Sequence, residues 1–170
     1  MEMTDSRRIS AEGATVWAAL LDPEVLKACV PGCTEMTGSA EEGFEAVVVQ
    51  KVGPVKATFR GRVAVEDADA PRALTLTGEG KGGAAGFAKG QARVTLTPDG
   101  TATLLDYAVE ARVGGKLAQL GSRIVDGFAR RMADQFFARF QEVVEQPGAP
   151  ALLAEPDAQA RRDRLDDMVG

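Results

Sequence analysis

Residues 78–90 read Gly-Glu-Gly-Lys-Gly-Gly-Ala-Ala-Gly-Phe-Ala-Lys-Gly, and the interpretation of the fold turns on this glycine-rich stretch. Gly78, Gly80 and Gly83 satisfy the GxGxxG pattern, which indicates a dinucleotide site only when a strand precedes it and a helix follows. Residues 91–97 instead alternate apolar and polar side chains, a pattern typical of a strand. The stretch therefore predicts a flexible hairpin loop between two strands and argues against a Rossmann fold.

Segments with a β pattern lie on both sides of this loop. They are joined by short turns rich in Gly, Pro and acidic residues. Sequential strands joined by short turns form an antiparallel meander, and an extended N-terminal segment adds one more strand to give about seven. The predicted strands span 2–9, 34–39, 43–52, 55–67, 73–80, 88–97 and 101–113.

Helical patterns flank the meander. Two short helices follow the first strand, and the second begins at Asp22-Pro23, with Asp22 as N-cap and Pro23 at the first helical position. A long helix is predicted from Lys116 to Glu145, because apolar residues recur there at every fourth position. This order predicts an α+β fold in which a curved antiparallel sheet wraps around the C-terminal helix. The apolar stripe comprises Leu120, Ile124, Phe128, Met132, Phe136 and Phe140.

Successive turns of a meander alternate between the two ends of the sheet. The turns at 53–54, 81–87 and 113–116 are therefore expected at one end, where a pocket between sheet and helix would open. We call this end the rim, and its glycine loop is expected to move. The predicted rim residues are Gly53, Pro54, Gly82, Gly83, Gly86, Gly114 and Gly115.

Strand alternation predicts an apolar cavity near the rim. Because successive side chains of a strand point to opposite faces, the inward positions can be assigned by parity. Those near the rim are often small, namely Ala57, Gly78, Gly80, Ala92 and Ala111, which leaves space for a ligand unless larger neighbours fill it. The predicted lining has Gln50 and Tyr107 as polar anchors. The full predicted ligand-binding set is Gln50, Phe59, Leu76, Phe87, Tyr107, Leu117, Leu120, Gly121, Ile124 and Phe128.

Composition excludes several functional classes. The net charge of −5, with both signs interspersed, gives no nucleic-acid footprint. The chain contains no histidine, so neither a Ser-His-Asp triad nor a Cys-His pair can exist, and no metal site or catalytic residue is predicted. Cys29 and Cys33 are interpreted as reduced thiols. The charged N-terminus lacks the apolar run of a signal peptide, which predicts a cytoplasmic protein.

Five segments together resemble the G-subunit family of carbon monoxide dehydrogenase, over about residues 1–145. The resemblance implies a helix-grip, START-like fold of the SRPBCC superfamily, which holds apolar ligands between sheet and helix. It further implies a non-catalytic accessory protein that partners the subunits of a molybdenum hydroxylase of the carbon monoxide dehydrogenase type. Such a protein would support electron transfer or membrane recruitment by binding a respiratory quinone, with no covalent cofactor. The segments are 20–33, 52–56, 78–90, 113–123 and 133–140.

The C-terminal tail departs from this family pattern. We assign residues 1–145 to the ligand-binding domain and 146–170 to an acidic, flexible tail beginning with a Pro-Gly-Ala-Pro linker. Residues 155–170 carry five acidic and three basic side chains, which is unsuited to binding an anionic membrane. Weak or indirect membrane association, peripheral at the inner face of the cytoplasmic membrane, is therefore expected, and the tail is expected to contact a partner protein.

Two alternatives remain open from the sequence. One is an assembly or recruitment factor whose cavity binds no ligand. The other is a START-like cyclase or hydrolase, which would need an acid or base inside the cavity, whereas parity puts most charged side chains outside.

Overall fold

The computed structural model describes residues 1–146, so the predicted tail lies outside the described residues except for Gln146. Its strands are β1 (Glu2–Ile9), β2 (Cys33–Ser39), β3 (Gly43–Val52), β4 (Val55–Asp69), β5 (Ala73–Lys81), β6 (Phe87–Asp99) and β7 (Ala102–Gly114). Its helices are α1 (Gly13–Leu20), α2 (Pro23–Cys29), α3 (Lys116–Gln119) and α4 (Ser122–Val144), and a 3₁₀ turn spans Gly83–Ala85.

The seven strands form one antiparallel sheet in the order β1-β7-β6-β5-β4-β3-β2. Strands β2 to β7 follow one another as the predicted meander, and β1 pairs with the free edge of β7. The two short helices carry the chain from β1 at one edge to β2 at the other. The predicted α+β architecture, a curved sheet with a C-terminal helix, is confirmed.

The start of α2 follows the predicted capping pattern. A carboxylate oxygen of Asp22 accepts a hydrogen bond from the backbone N–H of Glu24 at 2.9 Å, and Pro23 occupies the first turn. Proline is favoured there because its missing N–H would have no partner in a helix in any case. None of the helices within residues 1–146 is long and apolar enough to cross a membrane.

The prediction of one continuous helix from Lys116 to Glu145 is wrong. Helix α3 ends after one turn, and α4 begins at Ser122, beyond Gly121, whose φ of +89° lies outside the helical region. Glycine tolerates this conformation because it has no Cβ. The apolar stripe gave no sign of the break, since Leu120 and Ile124 keep their spacing on either side of it.

The packed core joins the C-terminal half of α4 to one end of the sheet. Phe140 is fully buried, and the ring of Phe137 stacks on Tyr107 with 5.2 Å between centroids. Leu74 and Leu105 are buried beneath them, and both short helices contribute to the same cluster. Cys29 also belongs to this core, and burial raises the pKa of its thiol to about 11. These contacts hold α4 against the sheet.

We expect the two halves of the apolar stripe to contribute unequally to stability. Phe140→Ala should lower the free energy of unfolding by about 3–5 kcal/mol, since it leaves a cavity in a closed core. Phe128→Ala, at a half-buried position of the same helix, should cost clearly less. Urea unfolding followed by circular dichroism measures both values. Equal losses would contradict this assignment of the core.

Candidate functional site

The predicted rim turns come together at one end of the sheet. The β3–β4 turn lies against the α3–α4 junction: a Cβ built at Gly53 would lie 3.6 Å from Ile124 Cγ2 and 3.9 Å from Leu120 Cδ2. The 3₁₀ turn of the glycine loop contacts both β4 and α3. Phe59 on β4 lies under this loop, with a ring carbon 2.5 Å from where a Cβ of Gly82 would be. Four chain segments therefore surround this end of the fold.

Helix α4 crosses the inner face of the sheet from β1 to this rim. Near its C-terminal end, the side-chain amide of Gln141 donates to the backbone carbonyl of Arg8 at 3.0 Å. Two helical turns earlier, Asp134 accepts from the guanidinium of Arg7 at 2.5 Å. At its N-terminal end, the same helix reaches the β3–β4 turn through Ile124. The helix therefore extends from β1 to the β3–β4 turn.

The burial of the helix stripe decreases toward the rim. Phe140 is fully buried and Phe137 is 8% exposed, whereas Phe128 and Leu120 are only half-buried. Ile124 is 40% exposed, which is unusual for a large apolar residue on the inner stripe of a helix. The N-terminal half of α4 therefore has apolar surface that nothing within the described residues covers fully.

The inner face of the sheet shows a matching change. Its buried rows, with Leu74, Val94 and Tyr107, give way toward the rim to small residues. Strand register places these small residues next to one another across β3 to β7. A Cβ built at Gly80 would meet no atom within 4 Å, so the space above this glycine is open. This small-residue band comprises Ala46, Gly61, Gly78, Gly80, Ala88, Gly90 and Ala111.

These two apolar surfaces form the candidate site, which we call the trough. Its sheet side is the small-residue band, and its helix side is the N-terminal half of α4. Of the predicted ligand-binding residues, Leu117 is buried at the foot of α3 near the rim. Leu76 is half-buried and packs against the core. Those that are half-buried or exposed along the trough are Phe59, Leu120, Ile124 and Phe128.

Phe87 does not lie where the sequence placed it. Strand β6 begins at Phe87, so this residue shares the outer face with Lys89 and Gln91, while Ala88 points inward. Its ring covers Gly114 on the neighbouring strand, and the side chain is 46% exposed. The prediction failed because Phe87 was assigned to the glycine loop, where alternation does not apply.

Tyr107 belongs to the packed core instead of the trough. It points inward as predicted, but its ring stacks on Phe137 and only 7% of the residue is exposed. Burial by itself lowers the pKa of the neighbouring Arg7. Hydrogen bonds to Asp134 and Tyr107 raise this pKa by more, so it lies above its ordinary value. The Tyr107 side chain therefore contacts Phe137 and Arg7 within the protein.

Two other predicted residues have structural roles. The side-chain amide of Gln50 donates to the backbone carbonyl of Pro31 at 2.5 Å, which ties β3 to the end of α2. Gly121 is exposed at the helix break, and a Cβ there would meet no atom within 4 Å. Gln50 is therefore not a free polar anchor, whereas the role of Gly121 as a lining residue stays a prediction.

The glycine loop is closed by hydrogen bonds. The amide of Gly82 donates to the carbonyl of Gly86 at 2.8 Å, and Ala85 is buried within the turn. Gly86 has a φ of +113°, and a Cβ there would overlap the carbonyl oxygen of Gly114. Close backbone packing thus explains this glycine, whereas the predicted motion of the loop stays a prediction.

The outer face of the sheet carries two further concavities. One of about 630 Å³ includes Arg62, Glu79 and Lys89 in its lining, and one of about 460 Å³ includes Gln91 and Glu110. Both differ from the trough in having charged side chains in their lining and in lying on the opposite face of the sheet.

Asp126 on α4 is a residue that the sequence did not indicate. Its Oδ1 atom is shielded from solvent and has no hydrogen-bond partner within the described residues. An unpaired buried carboxylate oxygen is costly, which makes Asp126 a candidate for contact with a ligand or partner. No pattern of spacing could have found it.

Comparisons with known proteins agree with this architecture. The family model described as CoxG, the G-subunit of carbon monoxide dehydrogenase, matches residues 6–145. The chain is similar to the crystal structure of a conserved protein from Geobacillus kaustophilus, with 29% identity and a TM-score of 0.79, over 85% of this chain and 95% of that one. A START superfamily protein from Mycobacterium smegmatis has 16% identity and a TM-score of 0.64, over 85% and 97% of the two chains, and this likeness confirms the fold. A search of proteins with curated functions found no match.

Alanine substitutions of Gly80 in β5 and of Gly86 in the glycine loop should change the free energy of unfolding in different directions. Gly86→Ala should lower the free energy of unfolding by about 1–3 kcal/mol, because of its positive φ and the overlap with Gly114. Gly80→Ala should leave it unchanged or raise it by about 0.5–1 kcal/mol, since the added methyl group enters open space and the chain loses backbone entropy in the unfolded state. Denaturant titration compares them, and a destabilised Gly80→Ala would mean that the trough is filled.

Proposed function

The chain belongs to the CoxG family of carbon monoxide dehydrogenase, and we propose that it is a non-catalytic accessory protein that binds an apolar ligand in the trough. The observation that carries this proposal is the uncovered apolar surface on both sides of the trough. Burying such surface gains roughly 25 cal/mol per Å², so a chain that leaves it open near Ile124 and Gly80 forgoes stability unless a ligand covers it.

A respiratory quinone suits this site by its chemistry. Its isoprenoid chain is apolar and poorly soluble in water, and apolar walls with few polar groups favour such a molecule. The small-residue band leaves room for a flat ring or a chain to lie close to the sheet backbone. We infer that the ligand enters at the rim, since the packed core closes the other end.

A need to transfer electrons to a quinone would explain why a hydroxylase has such a partner. The family name associates these proteins with carbon monoxide dehydrogenase, and we infer a molybdenum hydroxylase of that type as the partner. Such an enzyme must pass its electrons to acceptors that reside in the membrane. A protein that holds a quinone in an apolar trough can bring the acceptor to the enzyme.

The trough favours this accessory role over a cyclase or hydrolase. Its assigned lining side chains are apolar, and the chain has no histidine to act as an acid or base near neutral pH. Asp126 is the one unpaired carboxylate oxygen shielded from solvent within the described residues. If Asp126 were catalytic, the isolated protein would consume a substrate. The coupling experiment below measures turnover by the protein alone and would detect this.

Filling the open space at Gly80 should abolish ligand binding. Gly80→Leu projects a side chain from the small-residue band into the trough, whereas Glu79→Leu places the same side chain on the outer face. A short-chain ubiquinone analogue at about 100 times its dissociation constant should stabilise wild type and the Glu79→Leu control by roughly 2.7 kcal/mol. Thermal unfolding with and without the analogue measures this shift.

The outcome separates ligand binding from a purely structural fold. Gly80→Leu should unfold at a temperature close to that of wild type without ligand but show no ligand-induced shift. Equal shifts in all three proteins would place the ligand elsewhere. If wild type showed no shift with any quinone analogue, the assembly or recruitment factor would become the better interpretation.

The second expected outcome concerns the partner enzyme. The protein alone should show no turnover, but its addition to the purified hydroxylase should couple substrate oxidation to quinone reduction. Spectrophotometry of quinone reduction in the presence of wild type or Gly80→Leu provides the measurement. A hydroxylase that reduced membrane-embedded quinone equally fast without this protein would refute the carrier function.

A further inference from the structure

A carboxylate oxygen of α4 is buried without a hydrogen bond. Oδ1 of Asp126 is shielded from solvent and has no hydrogen-bond partner within residues 1–146. Taking such an oxygen out of water without giving it a donor costs folding free energy, so atoms of this kind are rare in folded proteins. Nε of Arg7 is in the same situation, but its guanidinium pairs with Asp134 through another nitrogen. The contacts of the described residues therefore leave Asp126 unexplained.

Asp126 lies on the side of α4 that faces the sheet. It precedes Ala133 by seven positions and Phe137 by eleven, about two and three helical turns, so the three residues share one side of the helix. Phe137 stacks on Tyr107 of β7, and Ala133 packs against the same core. This side of the helix is therefore the inner one, and Asp126 occupies it in the N-terminal half, where the helix forms one wall of the trough.

Two arginines of the same helix are spaced to pair with Asp126 but do not. Arg123 stands three positions before it and Arg130 four positions after it, spacings at which charged side chains on a helix can meet. Both arginines are exposed, and neither forms an ion pair with Asp126 within the described part of the chain. The shielded oxygen is thus left for a donor that residues 1–146 do not supply.

The trough has few other polar side chains to offer a ligand. The amide of Gln50 donates to the backbone carbonyl of Pro31, and Tyr107 is buried in the packed core. The remaining assigned lining side chains carry no polar atom. A ligand with a polar end would therefore find its side-chain partner in Asp126. The apolar lining side chains are Phe59, Leu120, Ile124 and Phe128.

We propose that Asp126 makes the trough selective for the reduced, quinol form of its ligand. The inference rests on the proposed function, because it concerns the polar end of the same apolar molecule. A quinone carries carbonyl oxygens, which only accept hydrogen bonds, whereas a quinol carries hydroxyl groups in the same places, which also donate. A carboxylate oxygen is an acceptor. It therefore pairs with a hydroxyl of the quinol but faces a carbonyl oxygen of the quinone with no proton between them.

Selectivity of this kind changes the redox potential of the bound ligand. A hydrogen bond to a carboxylate is strong enough to make the affinities of the two forms differ by roughly tenfold. Tenfold tighter binding of the quinol raises the midpoint potential of the bound two-electron couple by about 30 mV. The bound quinone is then a stronger oxidant than the free one. It accepts two electrons from the proposed partner hydroxylase and two protons, and its carbonyl oxygens become hydroxyls. Asp126 thus favours loading of the carrier.

Removing the acceptor tests this selectivity with a matched control. Asp126→Leu deletes the carboxylate, and Asp126→Asn replaces one oxygen with an NH₂ group that can donate. The control, Glu142→Gln, removes one negative charge from an exposed position of the same helix. A short-chain ubiquinone analogue and its quinol, prepared by chemical reduction and kept under nitrogen, are titrated into each full-length protein. The dissociation constant of the quinone divided by that of the quinol is the redox preference of each protein.

Wild type and Glu142→Gln should have the same redox preference, and Asp126→Leu should lower it roughly tenfold through weaker binding of the quinol. Asp126→Asn should lower it too, since its amide can donate to a quinone carbonyl. Potentiometric titration of the bound analogue should give a midpoint potential about 30 mV lower in Asp126→Leu than in wild type. A purely structural role of Asp126 would change neither the preference nor the potential. Without ligand, Asp126→Leu should unfold at or above the wild-type temperature, because an unpaired buried oxygen is lost.

An unchanged redox preference in Asp126→Leu would overturn this inference, and so would a wild type that binds the quinone more tightly than the quinol. Gly80→Leu separates the inference from the proposed function. If wild type bound both forms equally and Gly80→Leu bound neither, the trough would hold a ligand without redox selectivity, and only the role of Asp126 would be refuted. If wild type bound neither form, the proposed function would fail and this inference with it.

Discussion

The stacking of Phe137 on Tyr107, with Phe140 fully buried behind it, is the contact on which the remaining structure depends. It fixes the C-terminal half of α4 to one end of the sheet, and the ion pair between Arg7 and Asp134 holds the same region. The N-terminal half of the helix packs through Ala129 and Ala133 on the edge of this core, and Ile124 near its start lies close to the β3–β4 turn. The apolar stripe of the helix is therefore most buried near its C-terminal end and least buried near its start.

The trough results from the different side chains that the helix and the sheet carry toward the rim. The helix keeps large apolar side chains toward the rim, whereas the sheet replaces its large side chains with glycine and alanine. A core built for stability alone would fill such space, since voids forfeit dispersion contacts. Gly80, with nothing within 4 Å of a Cβ, marks where packing stops. An apolar ligand would complete the contacts that the chain leaves unmade.

Charge follows the same division of the molecule. The rim turns collect cations that face one another across Lys51–Lys56, Arg60–Lys81 and Lys89–Arg112, although the whole chain is acidic. Glu79 on β5 lies opposite both Arg62 and Lys89, so acidic side chains also reach this surface.

The sequence by itself determined the local structure and the chemistry available to it. Alternation located the meander and most inward positions, Asp22-Pro23 located the start of α2, and the absence of histidine limited the chemistry. Tertiary structure decided the break at Gly121, the face of Phe87 and the role of Tyr107. The break left the apolar spacing intact, Phe87 took its face from where β6 began to pair with β7, and Tyr107 became core because Phe137 came to lie on it. Periodicity reports only which face of an element is apolar, whereas the distance between two apolar faces depends on contacts far apart in the chain.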